Sequence, residues 1–454
     1  MGVGPYEIRD PIHGLVELSQ KEVNLINTST FQRLRRIRQL AMAFLVYPGT
    51  LHTRFDHSIG VMHIAGRISD QLKQREPKKI TEKDCERIRL AALLHDIGHG
   101  PFSHVSEHLL ANQVSEKSIR EKIHEKVTVD IIKNDSEICD ILTDEERKCV
   151  VEMIEGKTVR DFRRDIVSSD LDADKMDYLL RDSYFAGVKY GTYDLDKIIE
   201  SCRVYWEGEE SYLAISDEGI FALEQLLLGK HHMTQQVYSH RVRLISDAMI
   251  VRGIELAIQE KNHELKQLYQ YDKASEFIKN YVEYHDERLI DILKRCKEAK
   301  ARDIFERLYG RRLFKMIGEL PLKDVDDPIA QRQLLQMGTE QKRQWEKQIA
   351  EHLEIDSDYV IVNKLHIRNP NYGSRSYSLN PEAIVIFDEK QSKLKRFSSY
   401  TTELISVRPP PDETALETVQ VYAPQDGWNT LPAVQRQQNQ SQLHDKVQEI
   451  LLAT

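Results

Sequence analysis

The chain has 454 residues, with 64 Lys and Arg against 73 Asp and Glu, a formal charge of −9, and 40% hydrophobic and 30% charged residues. That size and balance fit one large domain or two or three ordinary ones with a real buried core, and they exclude wholesale disorder. The acidic total argues against coating nucleic acid through bulk charge, because phosphate-backbone binding draws on a surplus of Lys and Arg; a local basic pocket stays open.

Glycine (20) and proline (14) are scarce, which favours helices. From Ser19 to about Ala43, Phe31, Leu34, Ile37 and Leu40 fall at helical spacing with Arg33, Arg35, Arg36 and Arg38 between them, which predicts an amphipathic helix with a solvated basic face. Tyr47-Pro48-Gly49-Thr50 reads as a turn, followed by a helix from near Asp56 and another from about Glu82 to Ile97. The second stops at Gly98-His99-Gly100-Pro101, a Gly-then-Pro helix end. Residues 123–182 read as mostly helical. Cys202–Trp206 and Tyr212–Ile215 around Glu207-Gly208-Glu209-Glu210 predict a β-hairpin, and helices resume from Asp217 to about Arg312. Short β-rich runs at Tyr359–Val362 and Ala383–Phe387 place a smaller α+β subdomain at 321–408. The Pro- and Gln-rich stretch 409–454 is read as a mobile tail with a short terminal helix.

No run of about 18 apolar residues occurs, and the first residues lack the apolar segment of a secretory signal, so a soluble cytoplasmic protein without membrane contact is expected. Cys85, Cys139, Cys149, Cys202 and Cys296 lack paired spacing and are odd in number, so neither a disulfide framework nor a thiolate zinc site is expected. Histidines are distributed unevenly: of 17, nine fall in the first 125 residues, at 13, 52, 57, 63, 95, 99, 104, 108 and 124.

The densest signal is His95-Asp96-Ile97-Gly98-His99-Gly100-Pro101-Phe102-Ser103-His104. The apolar run Leu90–Leu94 delivers an imidazole and a carboxylate together at a helix end. A lone histidine on an apolar face is usually a hydrogen-bonded core residue, but a carboxylate is almost never buried without a cation or hydrogen-bond donors. Adjacent side chains diverge by roughly 100° on a helix, so any shared ligand needs partners from elsewhere in the chain. His57 in Arg54-Phe55-Asp56-His57-Ser58 and Asp174 in Asp172-Ala173-Asp174-Lys175 are the candidates.

With Asp10-Pro11-Ile12-His13-Gly14, Phe31-Gln32-Arg33-Leu34-Arg35, His124-Glu125 and the stretch from Asp174 to Asp182, the pattern resembles the HD-domain metal-dependent phosphohydrolases. It is most similar to the branch of SAM-and-HD-domain deoxynucleoside triphosphate triphosphohydrolases, over about half the chain and in the same order. The resemblance implies a mainly α fold: an HD-domain helical core over 1–320, with the metal site within 50–185, a small β-hairpin and a C-terminal α+β subdomain. It implies His57, His95, Asp96 and Asp174 as ligands of one divalent transition metal (Mn, Fe, Zn or Ni), a donor set that suits these ions better than an all-oxygen magnesium site; magnesium accompanying the substrate phosphates stays open.

His104 is the implied proton donor to the leaving 5′ oxygen, with His124 and Glu125 as its supporting pair and His99 nearby; an imidazole titrates in the right range for this step. Arg54, Lys175 and Lys230 are implied phosphate contacts. Lys230 stands where the branch often has Arg, which keeps the charge and loses the bidentate fork. Gln39, Tyr178 and Asp182 are implied at the sugar, and Tyr238 beside its 2′ position. The implied activity is hydrolysis of deoxynucleoside triphosphates to deoxynucleoside and triphosphate by a homo-oligomer, dimer or tetramer.

Departures temper the match. Ala41-Met42-Ala43 replaces a pocket-lining glycine run, and Asn27 and Tyr6 stand where nucleotide-activated members have Asp and Lys, so activation by guanine nucleotides is not implied. The altered 41–43 wall motivates an alternative, an HD-type phosphodiesterase or nuclease acting on single-stranded nucleic acid or a signalling nucleotide. A non-catalytic nucleotide sensor is the third reading.

Overall fold

Short polar caps decide where the helices begin. Ser19 and Glu22 form a reciprocal capping box at the start of Gln20–Ile26, Thr81 and Asp84 do the same for Glu82–Leu94, and Asp172 caps Ala173–Ala186; each satisfies backbone N–H groups that a helix start leaves unpaired. The structure is a computed structural model and describes residues 6–111, 123–156, 159–259, 262–271, 275–366, 384–391, 393–397, 417–426 and 432–453. Its strands are β1 (Tyr6–Asp10), β2 (Gly14–Leu18), β3 (Cys202–Glu207), β4 (Glu210–Ser216), β5 (Lys315–Pro321), β6 (Ile361–His366), β7 (Val385–Asp388), β8 (Lys393–Arg396) and β9 (Glu417–Ala423). Mainly helical architecture with small sheets agrees with the expected fold class.

The chain forms two compact units: Met1–Tyr238 with Gln267–Leu289 and Tyr372–Ser406, and Ser239–Lys266 with Ile290–Asn371 and Val407–Thr454. This partition differs from the expected boundaries at 320 and 408.

In the first unit, β1 and β2 pair as an antiparallel hairpin. The continuous helix expected from Ser19 to Ala43 is broken. The Thr28 hydroxyl accepts the Phe31 N–H and starts a new turn at Ser29–Gln32, and Arg38 then bridges Thr53 in extended conformation. The Asp56 carboxylate accepts the Thr53 N–H at 2.9 Å and opens the long helix Arg54–Arg75, which packs against Glu82–Leu94 and Ala173–Ala186. On Glu82–Leu94 every residue from Leu90 to Leu94 is buried. The predicted hairpin is β3–β4, extended by β7 parallel to β4 and β8 antiparallel to β7.

In the second unit the sheet order is β5-β9-β6, with β9 antiparallel to both neighbours. Helices Thr339–Leu353 and Ala433–Leu452 supply Trp345, Ile349, Leu443, Val447 and Leu451 to a core shared with Val419 and Val421. Residues 417–423 and 433–452 are therefore integral to this unit, a correction to the expected mobile tail; Pro409–Pro411 lie outside the described residues. Apolar residues at 443, 447 and 451 give one buried stripe to the Gln-rich helix. Among the described residues, no helix is long and apolar enough to cross a membrane, and the five cysteines are free.

Candidate metal centre

Three helix ends of the first unit converge. The first turn of Arg54–Arg75 brings His57, the residue after Glu82–Leu94 is His95, and the first turn of Ala173–Ala186 brings Asp174. His57 Nε2 lies 2.9 Å from Asp174 Oδ1 and 3.6 Å from Asp96 Oδ2. His95 Nε2 lies 3.2 Å from Asp96 Oδ1 and 3.8 Å from Asp174 Oδ1.

The ring orientations follow from the opposite edges. His95 Nδ1 faces the Ala92 carbonyl at 2.7 Å, and His57 Nδ1 faces Asp177 Oδ2 at 2.8 Å. Both partners only accept, so each Nδ1 carries the proton and each Nε2 presents a lone pair to the cluster. Those two Nε2 atoms are buried and make no hydrogen bond. Burial opposes charge on His57, yet the Asp174 and Asp177 carboxylates on its two edges drive its imidazole up to about 10; the cluster demands positive charge. Two bare imidazole nitrogens and the Asp174 carboxylate lie close enough together to share a divalent metal ion, with Asp96 beside them.

A second cluster adjoins the first through Asp96, whose Oδ1 is 3.2 Å from His99 Nε2. His99 Nδ1 bonds Glu107, and the other oxygen of Glu107 receives His104 Nδ1 and His124 Nδ1, each at 3.1 Å. The carboxylate joining these imidazoles is Glu107, which the sequence reading missed, and the pairing of His104 with a His124-Glu125 couple is corrected accordingly; Glu125 is half-buried at the start of Ile123–Asn134. Glu107 stands three residues after His104, one helical turn away on the same face, and that spacing was the available signal. Burial works against its charge, but the His99 and His104 imidazoles hold Glu107 well below the usual carboxylate range. Burial and the Arg54 charge push buried His99 down to about 4, whereas Glu107 raises His124. His104 is 63% exposed, the outward-facing member of the group. The side chain of His108 lies outside the described residues.

The cations divide. Arg54 is fully buried: Nη1 pairs with Asp96 Oδ2 at 2.5 Å, Nε donates to Ser103 Oγ at 2.7 Å, and Nη2 makes no hydrogen bond. Lys175 donates to the Ser169 carbonyl and to Asp172 Oδ2, both at 2.7 Å, so part of its donor capacity is already used. Lys230 shares that surround; burial and the Lys175 charge push its ammonium down. Asp182 is held by His52 Nε2 and by the Tyr238 hydroxyl, each at 2.7 Å, a role for His52 that the sequence did not disclose. Tyr238 ends a π-helical turn, Thr234–Tyr238, and its ring meets Tyr178 edge-on at 6.1 Å. Gln39 Oε1 is buried without a partner.

Phe102 and Ser103 both adopt left-handed φ, 59° and 54°, a strained conformation for non-glycine residues. The turn is tied down by Asp286, which accepts the Phe102 N–H at 2.7 Å and the Arg38 N–H at 3.0 Å, and by Ser103 Oγ donating to the Arg38 carbonyl at 2.8 Å. Ala41, Met42 and Ala43 are each at most 2% exposed. Asn27 closes the Gln20–Ile26 helix, and the Tyr6 hydroxyl donates to Gln20.

Comparison with known proteins places this geometry. Residues 54–182 match the HD domain, and residues 193–408 match the HD associated region. An uncharacterized protein of Methanocaldococcus jannaschii is 33% identical over 92% of this chain and 79% of its own length. Deoxynucleoside triphosphate triphosphohydrolase SAMHD1 of Gallus gallus is 29% identical over 70% of this chain, which spans 57% of that protein. The crystal structure of a hypothetical protein from Aquifex aeolicus superposes with a TM-score of 0.68 at 27% identity, covering 98% of this chain and 100% of that one. With the matched HD segment enclosing His57, His95, Asp96 and Asp174, the chain belongs to the HD-domain family of metal-dependent phosphohydrolases.

Proposed function

We propose that the protein hydrolyses deoxynucleoside triphosphates to deoxynucleoside and triphosphate. The observation that carries this reading is the adjacency of two clusters: the imidazole nitrogens of His57 and His95, which make no hydrogen bond, beside the Asp174 and Asp96 carboxylates, and a carboxylate-linked histidine group reached through Asp96.

A divalent ion held by His57, His95, Asp96 and Asp174 supplies charge stabilisation at the phosphate and a lowered water pKa. The rest falls to the chain itself. Water attacks the α-phosphorus and releases a proton to solvent as the bond from phosphorus to the 5′ oxygen breaks; that oxygen takes a proton from His104, the exposed imidazole of its cluster, which recovers one from solvent. Glu107 accepts from His104 Nδ1 and holds the ring in place, and His124 shares the same carboxylate oxygen. The unpartnered Nη2 of Arg54, the remaining donor capacity of Lys175, and Lys230 serve the phosphates. Gln39, Tyr178 and Asp182 serve the sugar, with Tyr238 pinned against Asp182 beside the 2′ position.

Burial of Ala41, Met42 and Ala43 gives no support to a pocket widened for a polymer. Incubation with Mn²⁺ and each dNTP, followed by anion-exchange separation of products, tests the reading: inorganic triphosphate and deoxynucleoside are expected, and release of only monophosphate or pyrophosphate overturns it. The same reading takes the protein to be a homo-oligomer, which sedimentation analysis checks.

A further inference from the structure

The motif Asp10-Pro11-Ile12-His13-Gly14 has no part in the chemistry above, yet its side chains end at the metal cluster. Asp10 Oδ1 accepts the N–H groups of Ile12 and His13 at 2.8 and 2.9 Å, which folds the β1–β2 turn onto itself. Gly14 takes φ of +77°, the left-handed value the turn needs. The turn so fixed directs His13 inward, where Nε2 meets Asp177 Oδ1 at 2.6 Å. The second oxygen of Asp10 accepts Arg181 Nη1 at 2.8 Å. Arg181 in turn grips Asp177 with a fork, Nε to Oδ2 at 2.8 Å and Nη2 to Oδ1 at 2.9 Å. Asp177 Oδ2 is the partner of His57 Nδ1.

Every member is buried: His57, Asp177 and Arg181 at 0%, Asp10 at 6%, and the His13 side chain at 3%. The packing leaves no slack, since a Cβ on Gly60, in the same helix as His57, would lie 1.9 Å from Asp177 Oδ1 and 2.4 Å from Arg181 Nη2. A lone aspartate behind an imidazole can swing about its own side-chain torsions. Here three groups from two separate segments remove that freedom.

We propose that the Asp10–Gly14 turn is a positioning element of the metal centre: through Asp177 and Arg181 it fixes the ring and tautomer of His57. The proposal rests on the reading that His57, His95, Asp96 and Asp174 hold a metal ion. Groups that orient a metal-bound histidine commonly change affinity by about 10–100-fold when removed, so His13→Ala lowers Mn²⁺ affinity by about that factor, whereas His13→Gln, whose amide N–H still reaches Asp177, recovers most of it.

Affinity is measured on metal-free full-length protein by following free Mn²⁺ with electron paramagnetic resonance, and thermal unfolding of the same metal-free samples shows that each variant is folded. His95→Ala serves as the control that removes a ligand outright. Wild-type affinity in folded His13→Ala, with binding lost in His95→Ala, overturns this proposal and leaves the metal reading standing. No Mn²⁺ binding by the wild type overturns both. Should His13→Ala not fold, Asp10→Asn replaces it: the isosteric amide keeps an acceptor for the turn and loses the charge that holds Arg181, and wild-type affinity in that variant overturns the proposal equally.

Discussion

Glu107→Gln removes one negative charge at constant shape from the point where three imidazoles meet. Glu107 uses one oxygen for His99 and the other for both His104 and His124, at 3.1 Å each. Glutamine offers a single acceptor oxygen and turns an NH₂ toward whichever ring faces the other side, so at least one Nδ1–H loses its partner. A hydrogen bond to a charged group is worth roughly 1.5–3 kcal/mol and one between neutral groups roughly 0.5–1.5. The bond to His104 therefore weakens by about 1–2 kcal/mol in the state where that ring carries its proton, so the proton-donating form is less populated and the effective barrier rises by up to that amount. At about 1.4 kcal/mol per tenfold, kcat falls roughly 5–30-fold. KM and metal content stay near wild type, because Glu107 lies outside the four donors. Triphosphate release under saturating dNTP gives kcat and KM, and elemental analysis of the same preparation gives metal content. A kcat within about threefold of wild type, or a loss of metal matching the loss of activity, refutes the role assigned to Glu107.

Two further outcomes follow from the turn around His104. Burial, working against the Phe102 and Arg38 N–H bonds and the charges of Arg38 and Arg54, pushes Asp286 up to about 6. A carboxyl whose pKa is raised in the folded state binds its proton there first, so this group adds stability as the pH falls from above 6 toward 4. Between pH 7.5 and 5 the gain is about 1.4 kcal/mol; urea unfolding at both values should show it in the wild type and not in Asp286→Asn, and an equal pH dependence in the two contradicts the assignment. Gly98→Ala places a Cβ 2.3 Å from the Thr128 backbone nitrogen and 2.6 Å from the His124 carbonyl. Since these are backbone atoms, the Ile123–Asn134 helix must shift, costing about 1–3 kcal/mol and moving His124 off Glu107; unchanged denaturant midpoint and kcat would count against that close approach.

The residues expected at the metal were legible because their local strings are dense and distinctive; His57, His95 and Asp174 come within reach of one another from three helix ends, with Asp96 beside them. Glu107 was not, because adjacency in sequence made Glu125 the natural companion of His124, whereas neighbours on a helix point in different directions and a spacing of three shares a face. The bond of Lys175, an implied phosphate contact, to Asp172 three residues back is a local pairing that the resemblance alone does not disclose. His52 carried no signal at all, since only tertiary packing brings it to Asp182. The helix expected over 19–43 failed at Thr28, whose capping tendency outweighed the apolar spacing around it. The Gln-rich stretch was misjudged on composition, although its apolar residues keep a helical period.

The strand order β5-β9-β6 bears on how the chain reaches this state. The two outer strands precede the strand they share, so a growing polypeptide holds β5 and β6 with their inner edges open until residues 417–423 have been made. Open edges are templates for pairing with other chains, and closing contacts between distant segments is intrinsically slow. The Ala433–Leu452 helix then has to seat Val447 where a Cβ on Gly318 would lie 2.3 Å from it. The sheet of the second unit is thus completed only once β9 exists, and until then the inner edges of β5 and β6 stay available for pairing with other chains.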